Sequence, residues 1–193
     1  MQGKIIRIVS NQYTVHVPER GCLEAFAMGR VRLQDKPLVG DEVELQETEG
    51  RCGISRILER TNRLYRPAVA NVDQAMIVMS ASNPAFSNVL VDRLIFLISY
   101  WKVEPLIVIT KMDLVEKDDP VYEYIADYRK SGYHVILMGH DYEMEELEAA
   151  LKGRVTVLAG QSGVGKSSLL NRLDEQFALA TQEISRALGR GKH

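Results

Sequence analysis

The residues that decide the fold are the apolar run Val155–Ala159 and the octet that follows it, Gly160-Gln161-Ser162-Gly163-Val164-Gly165-Lys166-Ser167. The octet fits G-x-x-x-x-G-K-[ST] at every fixed position. A strand-like run precedes it and a helical stretch, Ser167–Leu173, follows, which is the context the motif requires. Three glycines let the backbone turn its N–H groups inward around a phosphate. The loop opens on a helix N-terminus, whose partial positive charge favours an anion. Lys166 is placed to reach β- and γ-phosphates, and the Ser167 hydroxyl to sit on Mg²⁺. The phosphate-site candidates are therefore Gly160, Gln161, Ser162, Gly163, Val164, Gly165, Lys166, Ser167 and Ser168, with Lys166 as the candidate catalytic residue.

Upstream of the loop the chain has a βα rhythm. Gln74–Ser80 (QAMIVMS) is a continuous apolar run, as expected of a parallel strand buried on both faces. Val91–Trp101 has helical spacing through Leu94, Ile95, Ile98 and Trp101. Pro105 breaks that helix, and Leu106–Thr110 is a second buried strand. Pro120 suits a helix start, so a helix is predicted over Tyr122–Ser131, ending at Gly132. Tyr133–Met138 reads as a third strand, Tyr142–Leu151 as a helix, and Val155–Ala159 as a fourth strand. Alternation of this kind predicts an open, mostly parallel α/β sheet. Met76, Met79 and Trp101 are expected in its core.

At the end of the second strand stands Thr110-Lys111-Met112-Asp113. It is similar to the [N/T]-K-x-D base motif of GTPases. A carboxylate there accepts two hydrogen bonds from guanine's ring N–H and exocyclic amine, donors that adenine lacks in that arrangement. The Lys111 stem can lie over the base face. Thr110, Lys111, Met112 and Asp113 are thus the base-site candidates. An ATP-using P-loop enzyme is the competing reading, and Lys-x-Asp counts against it.

Residues 1–60 read differently. Lys4–Val9, Tyr13–Val17, Asp41–Gln46 and Gly53–Leu58 are strand-like and separated by turn signals such as Pro18-Glu19-Arg20-Gly21. Four or five short strands without helical period predict a small barrel of the OB type. We place the boundary at residue 66, giving a barrel over 1–66 and an α/β domain over 67–193. The barrel segment holds 11 basic and 9 acidic residues, against 13 and 17 in the remainder. Arg30, Arg32, Lys36, Arg51, Arg56, Arg60, Arg63 and Arg66 give it a basic tilt, which suits phosphate contacts; Arg30 and Arg32 are the candidate RNA-binding residues. Tyr13 and Phe26 could stack on bases, but core packing is expected for both. His16 and His134 read as structural or surface residues.

The whole chain, 193 residues with 46% apolar and 26% charged residues and a net charge of −2, has the composition of a globular protein. Two cysteines, Cys22 and Cys52, make neither a disulfide framework nor a cysteine zinc site. No charged-then-apolar leader opens the sequence, and no apolar run approaches the ~20 residues of a membrane span. A cytoplasmic location and no membrane partner are the expectation.

The order of the motifs is unusual. The base motif precedes the phosphate loop, whereas ordinary GTPases have the reverse. With Asn71-Val72-Asp73-Gln74, the run MIVMSASNPAFS (residues 76–87), Thr110–Asp113, Gly160–Ser168 and Gly189-Arg190-Gly191-Lys192-His193, the chain resembles the circularly permuted GTPases that mature the small ribosomal subunit. That resemblance spans residues 1 to 193. It implies an N-terminal OB-fold contacting ribosomal RNA, and a GTPase domain that binds GTP or GDP with Mg²⁺ and is stimulated by the small subunit. It implies a purine-contacting loop near Met138-Gly139-His140, from which no side chain is carried over because the usual Ser-Ala is missing. In the family, Gly-Arg-Gly-Lys-His is followed by switch I threonines, a D-x-x-G motif and a Cys/His zinc domain, and His193 would lie in switch I. The expected function is GTP binding and hydrolysis in late maturation of the small ribosomal subunit, by a monomer. The chain ends at His193, so it is expected to be a fragment or truncated product with inefficient hydrolysis and no zinc. A non-hydrolysing nucleotide and RNA-binding module is the alternative.

Overall fold

The computed structural model describes residues 1–29, 31, 36–48, 50–65, 67–140 and 144–173. Arg30, Arg32, Arg66, the first two residues of the helix predicted over Tyr142–Leu151 and Gly189–His193 lie outside them. The chain divides into two units, Met1–Asp73 and Gln74–His193.

The first unit is a closed barrel of five strands, β1 (Gln2–Val9), β2 (Gln12–Val17), β3 (Gly21–Ala27), β4 (Glu42–Thr48) and β5 (Arg51–Ile57), in the order β1-β2-β3-β5-β4. Antiparallel β1–β4 pairing closes it, with β3 running parallel to β5. Closure leaves no unpaired edge. Ile5, Tyr13, Val15, Val17, Val43, Leu45 and Ile54 fill the interior. The OB-like barrel expected from the sequence is thus present, but β3 was not among the expected strands. Its buried residues are the small Ala25 and Ala27, with Leu23 partly buried on the same face, while the large Phe26 faces outward and is 39% exposed. The expectation that Phe26 packs in the core is therefore corrected; Tyr13 is in the core.

A two-stranded ribbon, β6 (Arg63–Tyr65) with β7 (Ala68–Ala70), completes the unit. The sequence reading did not anticipate it, and it straddles the expected boundary at residue 66. Asp41 is fully buried here. Its carboxylate accepts the Leu38 N–H at 2.7 Å and two guanidinium bonds from Arg60 at 2.7 and 2.8 Å. Arg60 also donates to the Lys36 carbonyl. Arg60 therefore neutralises a buried charge, and is no part of a basic surface as its sequence position had suggested.

Among the described residues the second unit holds a parallel sheet of four strands in the order β10-β9-β8-β11. They are β8 (Gln74–Ser80), β9 (Glu104–Thr110), β10 (His134–Leu137) and β11 (Thr156–Ala159). Every residue of β8 is buried, as its unbroken apolar run requires. Pro105 lies inside β9 and not before it. Pairing with β10 begins only at Leu106, so the proline sits outside the two-sided part of the ladder.

Among the described residues of this unit the α-helices are α1 (Asn88–Tyr100), α2 (Val121–Lys130), α3 (Glu145–Leu151) and α4 (Lys166–Leu173). Ser87 caps α1 by accepting the Leu90 N–H. The Asp119 carboxylate accepts the Val121 N–H at the start of α2. Tyr128 of α2 donates to Asp92 of α1 at 2.7 Å; burial and that bond hold its phenol well above the usual tyrosine range. Met76 and Met79 are core residues as expected, whereas Trp101 ends α1 only half-buried. His16 and His134 are exposed. Among the described residues no helix is long and apolar enough to cross a membrane.

Candidate functional site

The parallel sheet places the C-terminal ends of β9, β10 and β11 at one edge, where ligands of open α/β sheets bind. Three loops meet there. β11 runs into the phosphate-loop residues 160–165, β9 into Lys111–Asp113, and β10 into Met138–His140.

The phosphate loop has the backbone its glycines were expected to allow. Gly160, Gly163 and Gly165 have φ of 139°, 81° and 94°, a region that side chains with a Cβ rarely enter. Gly160 also passes so close to β8 that a Cβ there would lie 2.2 Å from the Val78 carbonyl oxygen. The helix then starts at once, with the Leu169 N–H donating to the Gly165 carbonyl. Lys166 folds back over the loop, its ammonium donating to the carbonyls of Gly160 at 2.9 Å and Gln161 at 2.6 Å. Ser162, Gly163, Ser167 and Ser168 are exposed, while Val164 is fully buried and anchors the loop.

The base motif is fastened to that loop. Thr110 is 7% exposed, and its single hydroxyl proton is shared between the Val164 carbonyl at 2.6 Å and the Met79 carbonyl at 3.1 Å. Thr110 thus ties the base motif directly to the phosphate loop. Lys111 adopts a left-handed backbone, φ 59°, and its ammonium donates to the Gly163 carbonyl at 2.9 Å and to the Asn83 carbonyl. Met112 is buried, and its N–H donates to the Met138 carbonyl at 3.1 Å, so it ties β9 to the end of β10 and offers no side chain to a ligand. Asp113 is exposed and accepts the His140 N–H at 3.2 Å.

Thr110, Lys111 and Asp113 of the base motif share one open cavity of about 410 Å³ with Met138, Gly139, His140, Gly165, Ser168, Leu169 and Arg172, whereas Lys166, Ser167 and the rest of the phosphate loop lie outside its lining. Motifs separated in the sequence as base reader and phosphate loop are therefore adjacent, joined by the hydrogen bonds of Thr110 and Lys111. Sequence reasoning missed Asn83, Leu169 and Arg172. Leu169 and Arg172 lie three and six residues beyond Lys166, and their helical spacing from Gly165 was the available signal. The stretch Met138-Gly139-His140, which the family resemblance pointed to without assigning a side chain, lines the cavity, and the His140 backbone N–H makes the contact to Asp113.

A larger hollow of about 680 Å³ lies on the barrel, lined by Arg20, Glu24, Phe26, Glu47, Arg51 and Cys52 among others. Its charges are of both signs, and Arg20 stands 3.6 Å from Glu47. It gathers no set of groups with a shared chemistry. Burial pushes the Cys52 thiol up, with the Glu47 charge adding to it. Among the described residues no group of three or more His, Cys, Asp or Glu side chains could hold a metal ion.

The RsgA GTPase family model matches residues 57–193. Over its whole length the chain is 47% identical to the small ribosomal subunit biogenesis GTPase RsgA of Geobacillus sp. (strain WCH70), covering 67% of that protein. It is 41% identical to the protein of the same name from Streptococcus mutans, covering 65% of it. The chain thus spans about two thirds of the length of these curated relatives. Among solved structures it is similar to YloQ, described as a circularly permuted GTPase, at 40% identity and a TM-score of 0.79, covering 88% of this chain and 63% of that one. YjeQ from Thermotoga maritima matches with the same TM-score and coverage at 37% identity. An OB-like barrel ahead of a parallel sheet whose base motif precedes its phosphate loop has its counterpart in these proteins, and the chain belongs to the RsgA family of circularly permuted GTPases.

Proposed function

We propose that this chain binds GTP and GDP through the cavity between β9, β10 and α4, and that it hydrolyses GTP in late maturation of the small ribosomal subunit. The carrying observation is the fastening of Thr110 and Lys111 to the carbonyls of Val164 and Gly163. It joins a guanine-reading carboxylate, Asp113, to an adjacent phosphate-binding loop, an arrangement that serves a guanine nucleotide and would serve an adenine nucleotide poorly.

Within that reading each residue has a chemical task. The loop from Gly160 to Gly165 offers backbone N–H groups to the phosphates. Lys166 exchanges its two loop carbonyls for phosphate oxygens, and stabilises the charge that develops on them. The exposed hydroxyl of Ser167, a hard oxygen on the first turn of α4, fits the needs of Mg²⁺, which would supply charge neutralisation between phosphate oxygens. Asp113 takes the guanine N–H groups, and the Lys111 stem covers the base. Zinc is not assigned to any residue of this chain.

We further propose that the barrel unit contacts ribosomal RNA, with Arg30 and Arg32 among the contacts, and that the protein works as a monomer in the cytoplasm. Support comes from the barrel's basic balance and from the relatives' printed role in small-subunit biogenesis. The test is phosphate release from GTP and from ATP, with and without small ribosomal subunits. Release specific to GTP and raised by the subunits is expected. Equal turnover of ATP would overturn the base assignment. Nucleotide bound without any phosphate release would favour a binding module that does not turn over.

A further inference from the structure

The Gly139–His140 peptide bond is held from both sides. Its carbonyl, on Gly139, accepts from Arg172 Nη1 at 2.9 Å. Its N–H, on His140, donates to Asp113 Oδ1 at 3.2 Å. A peptide unit is planar, with carbonyl and N–H on opposite sides, so fixing one end fixes the direction of the other. A guanidinium on the carbonyl also polarises the unit and strengthens its N–H as a donor.

Backbone pairing holds this loop up to Met138, whose N–H donates to Ile109 and whose carbonyl accepts from Met112. Beyond that point, side chains from two other elements, Arg172 and Asp113, grip the Gly139–His140 unit. Arg172 reaches across from α4, the helix that begins at Lys166, and lines the same cavity as Asp113.

We propose that Arg172 is a positioning residue for guanine specificity: it clamps the Gly139–His140 peptide, and through that peptide aims the Asp113 carboxylate at the base. The clamp couples the helix that follows the phosphate loop to the group that reads the base. It rests on the guanine-nucleotide reading of the cavity, and goes beyond it by assigning a residue of α4 to base choice. Arg172 acts on the base reader and not on the reacting phosphate, so its removal changes selectivity without changing the contacts made to phosphates.

The test is equilibrium binding of fluorescent GDP and ADP to the full chain and to Arg172→Ala, Arg172→Lys, Asp113→Ala and the double variant Arg172→Ala/Asp113→Ala. Alanine is the best helix former, so Arg172→Ala keeps α4, and matching thermal unfolding of parent and variant checks this. Arg172→Ala is expected to weaken GDP binding about five- to tenfold, lower the GDP/ADP ratio by the same factor and leave ADP binding as it was. Arg172→Lys restores most of the ratio. In the Asp113→Ala background the same change costs nothing further, because a residue acting through Asp113 has nothing left to aim. A parent that prefers GDP while Arg172→Ala keeps the ratio overturns the clamp alone, and so does a full additional loss in the double variant. A parent with equal or no affinity for the two nucleotides overturns the guanine reading and the clamp with it.

Discussion

Gly160→Ala is the substitution whose cost the structure fixes most closely. Gly160 stands where β11 enters the phosphate loop, at φ 139°. An added Cβ would lie 2.2 Å from the carbonyl oxygen and 3.2 Å from the carbonyl carbon of Val78, in the fully buried strand β8. Backbone cannot swing aside as a side-chain tip can, so β8 and β11 must separate. Two costs combine: about 1–3 kcal/mol for holding a Cβ-bearing residue in that backbone region, and about 1–3 kcal/mol for overpacking. The control is Gly163→Ala, at φ 81°, whose Cβ would meet only Pro84 Cδ at 3.7 Å. It bears the conformational cost alone, about 1–2 kcal/mol. Trp101 is the only tryptophan and ends α1 of the second unit, so its fluorescence follows the unfolding of that unit without a tryptophan signal from the barrel. At a few degrees per kcal/mol for units of this size, Gly160→Ala should lower the Tm by roughly 10 °C or more, and Gly163→Ala by roughly half as much. Equal shifts for the two, or none for Gly160→Ala, would refute the steric argument.

The other expectations follow from the same geometry. Asp113→Asn should move nucleotide preference from guanine toward xanthine, whose C2 oxygen can pair with the new amide; an unchanged GTP/XTP ratio would remove Asp113 from the base site. Lys166→Ala should weaken triphosphate binding by about 1.5–3 kcal/mol, because no ammonium then donates to the phosphate oxygens, and Ser167→Ala should chiefly remove the dependence on Mg²⁺; a calorimetric titration with and without the metal reads both. Arg60→Met should destabilise the barrel by about 3–5 kcal/mol, because it strands the buried Asp41 carboxylate, whereas the pair Asp41→Asn with Arg60→Met should recover part of the loss in denaturant unfolding. Arg30→Glu with Arg32→Glu should weaken binding to small subunits and flatten its salt dependence, by roughly 0.7–0.9 in the log–log slope for each phosphate no longer neutralised; an identical slope would free both arginines of that role.

What could be read in the sequence was whatever is local. A phosphate loop is contiguous, and its glycines, lysine and serine are required by backbone geometry and charge within eight residues, so it was legible to the residue. The buried parallel strands were legible because burial on both faces leaves an unbroken apolar run such as Gln74–Ser80. Tertiary structure alone decided three other things. Strand β3 was hidden because its inner face carries only Leu23, Ala25 and Ala27 while the large Phe26 points outward, which blurs the size pattern that marks a strand's buried face; pairing with β2 and β5 holds it. Arg60 looked like surface charge, yet a carboxylate 19 residues away claims it, and only the folded barrel brings the two together. The base loop uses the Gly139–His140 peptide, whose hydrogen bonds nearly every residue type can make, so no side chain could have announced it. Its partners, Asp113 and Arg172, stand 27 and 33 residues away, and the parallel sheet brings all three to one end of the strands.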